Sequence, residues 1–187
     1  VAVMPLIEIV KTPVTTEAAL STAFVVARGL GKNAVLTADA PGFVVNRLLA
    51  KVMGEAARAV YEGTPVADVE KAFAPLGLPM GPFQLIDLVG WKVAAHVQDT
   101  MVHAFPDRFY ANENFHALAE LPAVVEKDKG GRVTGFTKAA AKLVKEAAGS
   151  APASADTILR RVQDGLATEI KLMLDEGVVP EVEDIDL

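Results

Sequence analysis

Residues 41–63, PGFVVNRLLAKVMGEAARAVYEG, decide the fold of this chain. Pro41 stands where the first turn of a helix tolerates proline, and apolar residues then recur at helical spacing from Phe43 to Tyr61. Gly63 follows as a stop signal. A helix of about 20 residues is roughly 30 Å long, at ~1.5 Å per residue. The stretch therefore predicts a long helix that can serve as the central strut of a helical domain.

The chain after this helix also favours helices, because alanine is frequent and apolar residues mostly keep the helical spacing. Further helices are predicted at 66–75, 82–104, 114–120, 136–148 and 155–176. Residues 121–137 include the polar run KDKGG and predict a mobile loop. Residues 149–154, GSAPAS, predict a linker or a helix boundary. The fold class predicted for the chain is mainly α.

Residues 1–38 show a different pattern. Residues 6–10, LIEIV, and 34–37, AVLT, are short β-branched runs that predict two strands. Between them, Thr15, Thr16 and Glu17 precede a helix predicted from Ala18 to Leu30. Two strands and one helix bury too little surface to be stable alone, so we expect this β-α-β unit to be the margin of a larger α/β sheet.

Composition excludes several classes of protein. The chain has 187 residues, 24 acidic and 18 basic side chains, a formal charge of -6 and no cysteine. An acidic chain without a basic cluster does not predict nucleic-acid binding. Without cysteine, neither a disulfide nor a thiolate zinc site can form. Polar residues interrupt every apolar run before the roughly 18–20 residues that cross a bilayer, so we expect no membrane span, and cytoplasm is the default location.

The chain contains a weak internal repeat. The second copy places residues of the same type at a constant offset: Arg161, Glu169 and Glu176-Gly177 match Arg47, Glu55 and Glu62-Gly63. We predict that residues 155–187 begin a second helical repeat. Its apolar face is expected at Leu166, Ile170, Leu172 and Leu174, docked on the helix at 43–61. The second copy ends before its next helix and no start methionine is present, so we expect the chain to be part of a longer protein.

Two stretches resemble a known family. Residues 41–47, PGFVVNR, and 77–90, GLPMGPFQLIDLVG, look like the signature segments of the C-terminal domain of 3-hydroxyacyl-CoA dehydrogenases. Residues 1–10, VAVMPLIEIV, are similar to the segment that follows the catalytic histidine in this family. The partial repeat resembles the doubled C-terminal half of multifunctional fatty-acid oxidation proteins.

The resemblance implies a helical domain like the C-terminal domain of 6-phosphogluconate dehydrogenase, with a short β-α-β remnant of a Rossmann domain before it. Three parts are then expected. Residues 1–38 would be the C-terminal margin of the NAD-binding Rossmann domain, and residues 39–148 the helical 3-hydroxyacyl-CoA dehydrogenase domain. Residues 149–187 would be a linker and a partial second helical repeat.

The activity implied by the resemblance is oxidation of a 3-hydroxyacyl-CoA to a 3-oxoacyl-CoA in fatty-acid β-oxidation, where a hydride passes to NAD and a histidine removes the hydroxyl proton. Glu8 corresponds to the carboxylate that orients this histidine and stabilises its imidazolium. Asn46 corresponds to an asparagine that presents its amide to the substrate oxygen. Without the resemblance, Glu8 would be read as a structural or solvated carboxylate, and Asn46 as a helix cap or a surface residue.

The resemblance also implies a cofactor and partners. NAD is expected to be bound by a missing upstream domain, so we assign no cofactor-binding or metal-binding residue to this chain, and we expect it to be inactive alone. Expected partners are the 3-hydroxyacyl-CoA substrate, a second repeat in the same chain or a second subunit of a homo-oligomer, and a thiolase subunit. The alternative function is a non-catalytic helical module for assembly or dimerisation.

Three further patterns are rejected as ligand sites. Residues 29–34, GLGKNA, fit the spacing of a dinucleotide fingerprint, but they follow a predicted helix and precede a strand, the reverse of the order that a phosphate site requires. His96 and His103 share a helical face but lack the nearby ligands that complete a metal site. Lysines at 138, 142 and 145 line one helix, where a solvated face is a simpler interpretation than a contact with a CoA phosphate.

Three patterns in the second signature segment and beyond it have mainly structural interpretations. Residues 79–82, PMGP, predict a rigid turn before a helix, in which Gly81 permits a close approach. Asp87 is expected to make a polar contact between helices, with a ligand contact as the alternative. Residues 130–136, GGRVTGF, look like a shortened form of the family's glycine-rich segment.

Overall fold

A computed structural model describes residues 4–110, 114–147, 151–182 and residue 185. The elements in chain order are β1 (Leu6–Lys11), α1 (Glu17–Gly29), β2 (Asn33–Ala38), α2 (Val45–Tyr61), α3 (Val66–Ala72), α4 (Pro82–Val89), α5 (Trp91–Ala104), α6 (Asn114–Ala119), β3 (Val125–Lys127), β4 (Val133–Phe136), α7 (Lys138–Ala147) and α8 (Ala155–Asp175). A short 3-10 helix, Ala74–Leu76, follows α3. The prediction of a mainly helical chain with an N-terminal β-α-β unit is confirmed.

The chain forms two compact units, and the division between them falls inside helices α2 and α8. The first unit comprises Val1–Leu48 and Ala167–Leu187, and the second comprises Leu49–Leu166. The division of the sequence at residues 38 and 148 stays a prediction.

In the first unit, β1 and β2 pair in parallel, with Glu8 opposite Val35. Helix α1 connects them, as predicted. Its start is fixed by Thr16, whose hydroxyl accepts a hydrogen bond of 3.2 Å from the amide of Ala19. The core of this unit combines strand β2, the start of α2 and the end of α8 with the segment after it: Val35, Val44, Met173, Val178 and Val179.

In the second unit, a single hydrophobic core joins α3 to α7 with the adjoining parts of α2 and α8. An aromatic cluster lies in this core, in which the ring of Trp91 is 6.3 Å from that of Phe83 and 5.6 Å from that of Phe115. Phe136, on strand β4, meets Phe83 edge to face at 5.3 Å. The hairpin β3–β4 is thereby tied to the helices.

Two predicted helices are interrupted. The helix predicted at 82–104 is divided into α4 and α5 by Gly90, whose φ of 98° lies outside the helical region. The helix predicted at 66–75 ends at Ala72 and gives way to the 3-10 turn, because Pro75 has no N–H with which to continue the helix.

The loop predicted at 121–137 is wrong in part. Residues Val125–Lys127 and Val133–Phe136 pair as an antiparallel hairpin. Asp128 closes its turn by accepting hydrogen bonds from the amides of Gly130 at 2.8 Å and Arg132 at 3.0 Å. The backbone hydrogen bond from Arg132 is the main cause that lowers the pKa of the Asp128 carboxyl.

Helix α8 confirms the predicted helix at 155–176 to within one residue, but the predicted face is displaced. Leu166, Ile170 and Leu174 of that face are partly buried and pack against the cores, whereas Ile158, Val162 and Met173, which were not predicted, are fully buried. The buried face also includes the carboxylate of Glu169, a polar residue that an apolar pattern cannot include. Among the described residues, no helix has the length and apolar character needed to span a membrane.

Candidate functional site

Helix α2 starts with an unusual turn. Gly42 has a φ of 74° and Phe43 a φ of 47°, so two successive residues occupy the left-handed region, and the helix begins at Val45, two residues later than predicted. This region costs a non-glycine residue about 1–2 kcal/mol, and it persists only where neighbouring contacts hold it. The turn therefore needs anchors on both sides.

Glu8 is the first anchor. Its Oε1 accepts hydrogen bonds from the amide of Val44 at 2.8 Å and the amide of Val45 at 3.1 Å. These amides belong to the start of α2, where backbone N–H groups lack partners within the helix and a negative charge is favourable. Glu8 thus caps α2 from strand β1. Among the described residues, its Oε2 makes no hydrogen bond.

Asn46 follows directly in the first turn of α2. Its side chain is exposed, and it makes no hydrogen bond to any residue that the structure describes. Because Glu8 bonds the amide of Val45, the structure brings the two predicted site residues to the same helix start. The interpretation of Asn46 as the cap of this helix fails, since Glu8 has that role.

Arg47 is the second anchor, and sequence reasoning missed its role. The side chain is fully buried. Its Nε and Nη2 donate to Glu169 Oε1 at 2.9 and 2.6 Å, and Nη2 also donates to Glu176 Oε2 at 3.0 Å. Glu169 lies in the last two turns of α8, and Glu176 directly follows the helix. The internal repeat, in which arginine and the two glutamates recur together, was the signal that could have indicated a pair.

The second unit contains the equivalent contact. Arg161, the counterpart of Arg47, donates to Glu62 Oε2 at 2.7 Å, and Glu62 is the counterpart of Glu176. Glu62 also accepts from Arg58 at 2.9 Å. Burial acts to raise the pKa of Glu62, but the hydrogen bonds from the two arginines outweigh it and hold that pKa below its ordinary value. Each arginine thus bonds the glutamate that follows the other helix: Arg47 of α2 bonds Glu176, and Arg161 of α8 bonds Glu62.

A known protein family matches the part of the chain that contains Asn46 and Arg47. The family described as the C-terminal domain of 3-hydroxyacyl-CoA dehydrogenase matches residues 42–135, just over half of the chain. The chain belongs to this family.

Two curated relatives of this dehydrogenase domain carry the name fatty acid oxidation complex subunit alpha. That of Idiomarina loihiensis is 40% identical over 117 residues, 63% of this chain and 16% of the relative. That of Pseudomonas savastanoi pv. phaseolicola is 40% identical over 108 residues, 58% of this chain and 15% of the relative. The chain thus spans about a sixth of the length of these relatives.

Solved structures share the fold. The 3-hydroxybutyryl-CoA dehydrogenase of Escherichia coli K12 superposes with a TM-score of 0.73 over 98% of this chain and 57% of its own length, at 21% identity. FadB2 of Mycobacterium tuberculosis is 40% identical, with a TM-score of 0.60 over 64% of this chain and 43% of its own. At 21% identity, the first likeness shows the fold alone.

The second signature segment of the dehydrogenase domain forms the turn into α4. Here Glu70 accepts hydrogen bonds from the amides of Phe83 at 2.7 Å and Gln84 at 3.4 Å. A Cβ on Gly81 would lie 1.6 Å from Glu70 Oε2, so the close approach predicted at Gly81 is confirmed, and Glu70 is the partner. Burial is the main cause that raises the pKa of this carboxyl, and the two backbone hydrogen bonds offset it only in part. Glu70 was missed because nothing in the local pattern links it to Gly81.

Asp87 of the dehydrogenase domain makes the predicted contact between helices. Its Oδ1 accepts a hydrogen bond of 3.2 Å from the indole of Trp91, and its Oδ2 pairs with Lys127 at 2.6 Å. The carboxylate therefore joins α4 to α5 and to strand β3.

The structure also describes the patterns that were rejected as ligand sites. Residues 29–34 connect the end of α1 to the start of β2, as predicted. Among the described residues, no group of three or more acidic or histidine side chains could hold a metal ion, His96 and His103 included. Lys138 and Lys142 are exposed, and the side chain of Lys145 lies outside the described residues. The glycine-rich residues 130–136 form the turn and second strand of the hairpin.

Proposed function

We propose that this chain is the substrate-side and helical part of an NAD-dependent 3-hydroxyacyl-CoA dehydrogenase, which oxidises 3-hydroxyacyl-CoA to 3-oxoacyl-CoA in fatty-acid β-oxidation. One observation carries the proposal. The carboxylate of Glu8 caps the helix that presents the exposed amide of Asn46, and Asn46 lies among the residues that match the family. A carboxylate and an amide at one helix start are the two groups that this reaction needs beside its base.

Glu8 is proposed to act on the base. Oε1 is committed to the amides of Val44 and Val45, which fixes the carboxylate and leaves Oε2 to accept a hydrogen bond from a histidine ring. Held in this way, the histidine keeps the tautomer that can take the proton of the 3-hydroxyl, and the carboxylate stabilises the imidazolium that results. The resemblance places this histidine upstream of β1.

Asn46 is proposed to act on the substrate. Its amide N–H donates a hydrogen bond to the 3-oxygen, where negative charge builds while the hydroxyl loses its proton. This interaction is stronger in the transition state than with the bound alcohol, so it accelerates the reaction rather than only tightening binding. Asn46 transfers no proton.

The described residues do not fit NAD, which would accept the hydride when bound. Residues 29–34 have the glycine spacing but run from helix to strand, so their amides do not form the helix-start cradle that a pyrophosphate needs. We propose that further structure next to α1 holds the cofactor. Val25 and Val26 of α1 and the C-cap residue Leu30 are 67, 53 and 62% exposed, an apolar surface typical of contact with another element.

The finer expectations about the whole protein also belong to this proposal. The two curated relatives are named as subunits of a complex, which supports a multifunctional parent protein with a partner subunit such as a thiolase. The reciprocal pairs Arg47–Glu176 and Arg161–Glu62 support a second helical repeat. The cytoplasmic location stays a prediction.

The test is an activity assay on the full-length protein with short-chain and long-chain 3-hydroxyacyl-CoA substrates, following NADH formation. The proposal expects turnover with at least one of these substrates, and none with the corresponding saturated acyl-CoA, which lacks the hydroxyl. A folded full-length protein that forms no NADH from any of these substrates would overturn it.

A further inference from the structure

Three observations indicate that Arg47 does more than a solvated surface arginine does. Its side chain is fully buried, it follows Asn46 directly, and it bonds two carboxylates that are more than 120 positions away in the sequence. Neither Glu169 nor Glu176 belongs to the segments that resemble the family signatures. The contact therefore links the candidate site to α8.

The contact restrains the orientation of the Arg47 guanidinium as well as its distance from the two carboxylates. A guanidinium is planar, and its donors form a rigid fork. Nε and Nη2 both donate to Glu169 Oε1, and Nη2 donates also to Glu176 Oε2. A plane held by three hydrogen bonds to two carboxylates cannot rotate freely, so the attached helix turn has a defined rotation about its axis.

That rotation determines where Asn46 points. Successive residues of an α-helix are about 100° apart around the axis, since a turn has 3.6 residues. With Arg47 directed into the buried cluster, Asn46 is directed to the exposed side of the same turn. On the N-terminal side of Asn46, Glu8 restrains the backbone amides of Val44 and Val45. The left-handed turn at Phe43 directly precedes these two residues.

Stability alone is a weak reason for this arrangement. A buried ion pair gains little over well-packed apolar side chains of similar volume, because both charges lose their hydration. The ion pair does add a directional constraint, and it acts on Arg47, the residue next to the Asn46 side-chain amide. Misplacement of a reacting group by about 1 Å can cost roughly 100-fold in rate.

We propose that Arg47, held by Glu169 of α8 and by Glu176 directly after it, is a positioning residue that orients the Asn46 amide toward the substrate oxygen. This inference rests on the proposed function. It makes the second helical repeat a part of the active site's support, although the repeat contributes no group that touches substrate.

The test is a double-mutant cycle in the full-length protein. Glu169→Gln keeps the shape of the side chain but weakens the hold on the guanidinium, and we expect kcat to fall about 10-fold with KM changed less than about twofold. The same substitution in an Asn46→Ala background should lower kcat less than about twofold, because there is no amide left to misplace. Equal factors in both backgrounds would overturn the proposal.

Two further variants guard against misfolding and non-specific loss. Glu176→Gln removes the charge of the more exposed carboxylate, so it should fold where Glu169→Gln fails, and it should show the same dependence on Asn46. Its matched control is Glu62→Gln, which removes the equivalent partner of Arg161. We expect the control to leave kcat unchanged, and a loss equal to that of Glu176→Gln would contradict positioning.

A readout independent of activity separates this inference from the proposed function. Hydrogen exchange of the peptide that contains Val44 and Val45 should be faster in Glu169→Gln and in Glu176→Gln than in Glu62→Gln. If the wild-type protein forms no NADH, the proposed function fails, but hydrogen exchange still tests whether Arg47 holds the helix start. Unchanged exchange in both variants would show that Arg47 does not hold the helix start.

Discussion

The Oε1 atom of Glu8 lies 2.8 Å from the amide nitrogen of Val44, so a strand carboxylate caps helix α2 two residues before Asn46. This contact gives Glu8 a structural role and a proposed catalytic role at once. The two interpretations weighed from the sequence are therefore compatible, since each uses a different oxygen of the carboxylate.

The two roles of Glu8 can be separated by substitution. Glu8→Gln keeps an oxygen that can accept from the amides of Val44 and Val45, but it removes the charge proposed to stabilise the imidazolium. We expect turnover of the full-length enzyme to fall by roughly 100-fold or more, with the urea midpoint little changed. Glu8→Ala should also lose the cap, at a cost of about 1 kcal/mol in stability. Wild-type turnover in Glu8→Gln would leave only the structural role.

The sequence predicted those parts of the fold that local patterns determine. The strands at 6–10 and 34–37 and helix α1 are confirmed within a residue or two, because capping residues and periodicity are local signals. The hairpin β3–β4 was missed, since its pairing depends on contacts across the turn and on packing of Phe136 against Phe83. Gly90 was read as part of a helix because the apolar period continues through it.

The site was predictable to the extent that a motif carried it. Glu8 and Asn46 were found through segments that resemble a family, and the structure brings them together at one helix start. Arg47 and Glu169 are separated by 122 positions, so no local rule connects them. A buried glutamate on an otherwise apolar helix face also contradicts the pattern from which a core is predicted.

Gly81→Ala tests the close approach of Glu70. The new Cβ would lie 1.6 Å from Glu70 Oε2, so the carboxylate must move and α4 loses its cap, at a cost of about 1–2 kcal/mol. Urea unfolding followed by the fluorescence of Trp91, the single tryptophan, measures this change. Gly135→Ala is the control, because a Cβ there meets nothing within 4 Å. If Gly81→Ala costs the same in a Glu70→Ala background, Glu70 is not the cause.

Glu70 also predicts a dependence on pH. Burial raises the pKa of its carboxyl in the folded state, so the folded state holds the proton more tightly than the unfolded chain does. The corresponding stability is present at low pH and is lost as pH rises through the folded pKa. Glu70→Gln does not titrate, so the free energy of unfolding of this variant should rise relative to that of wild type as pH increases through the raised folded pKa. A constant difference, or one of opposite sign, would contradict the assignment.

Val162 tests the packing of α8 within the second unit. The side chain is fully buried in the core of that unit, so Val162→Asp would bury an unpaired charge. We expect loss of the cooperative transition and aggregation measurable by light scattering. Gln163→Asp, at an exposed position on the same helix, is the matched control and should stay monodisperse. A well-folded Val162→Asp variant would show that α8 is not needed for this core.

Steady-state kinetics of Asn46→Ala in the full-length protein, with a 3-hydroxyacyl-CoA and NAD, test the central claim most directly. Asn46 is exposed and makes no hydrogen bond to the described residues, so its removal should leave stability unchanged. If its amide meets the substrate oxygen while charge develops, kcat should fall by roughly 100-fold, with a much smaller rise in KM. A variant with wild-type kcat would contradict the account.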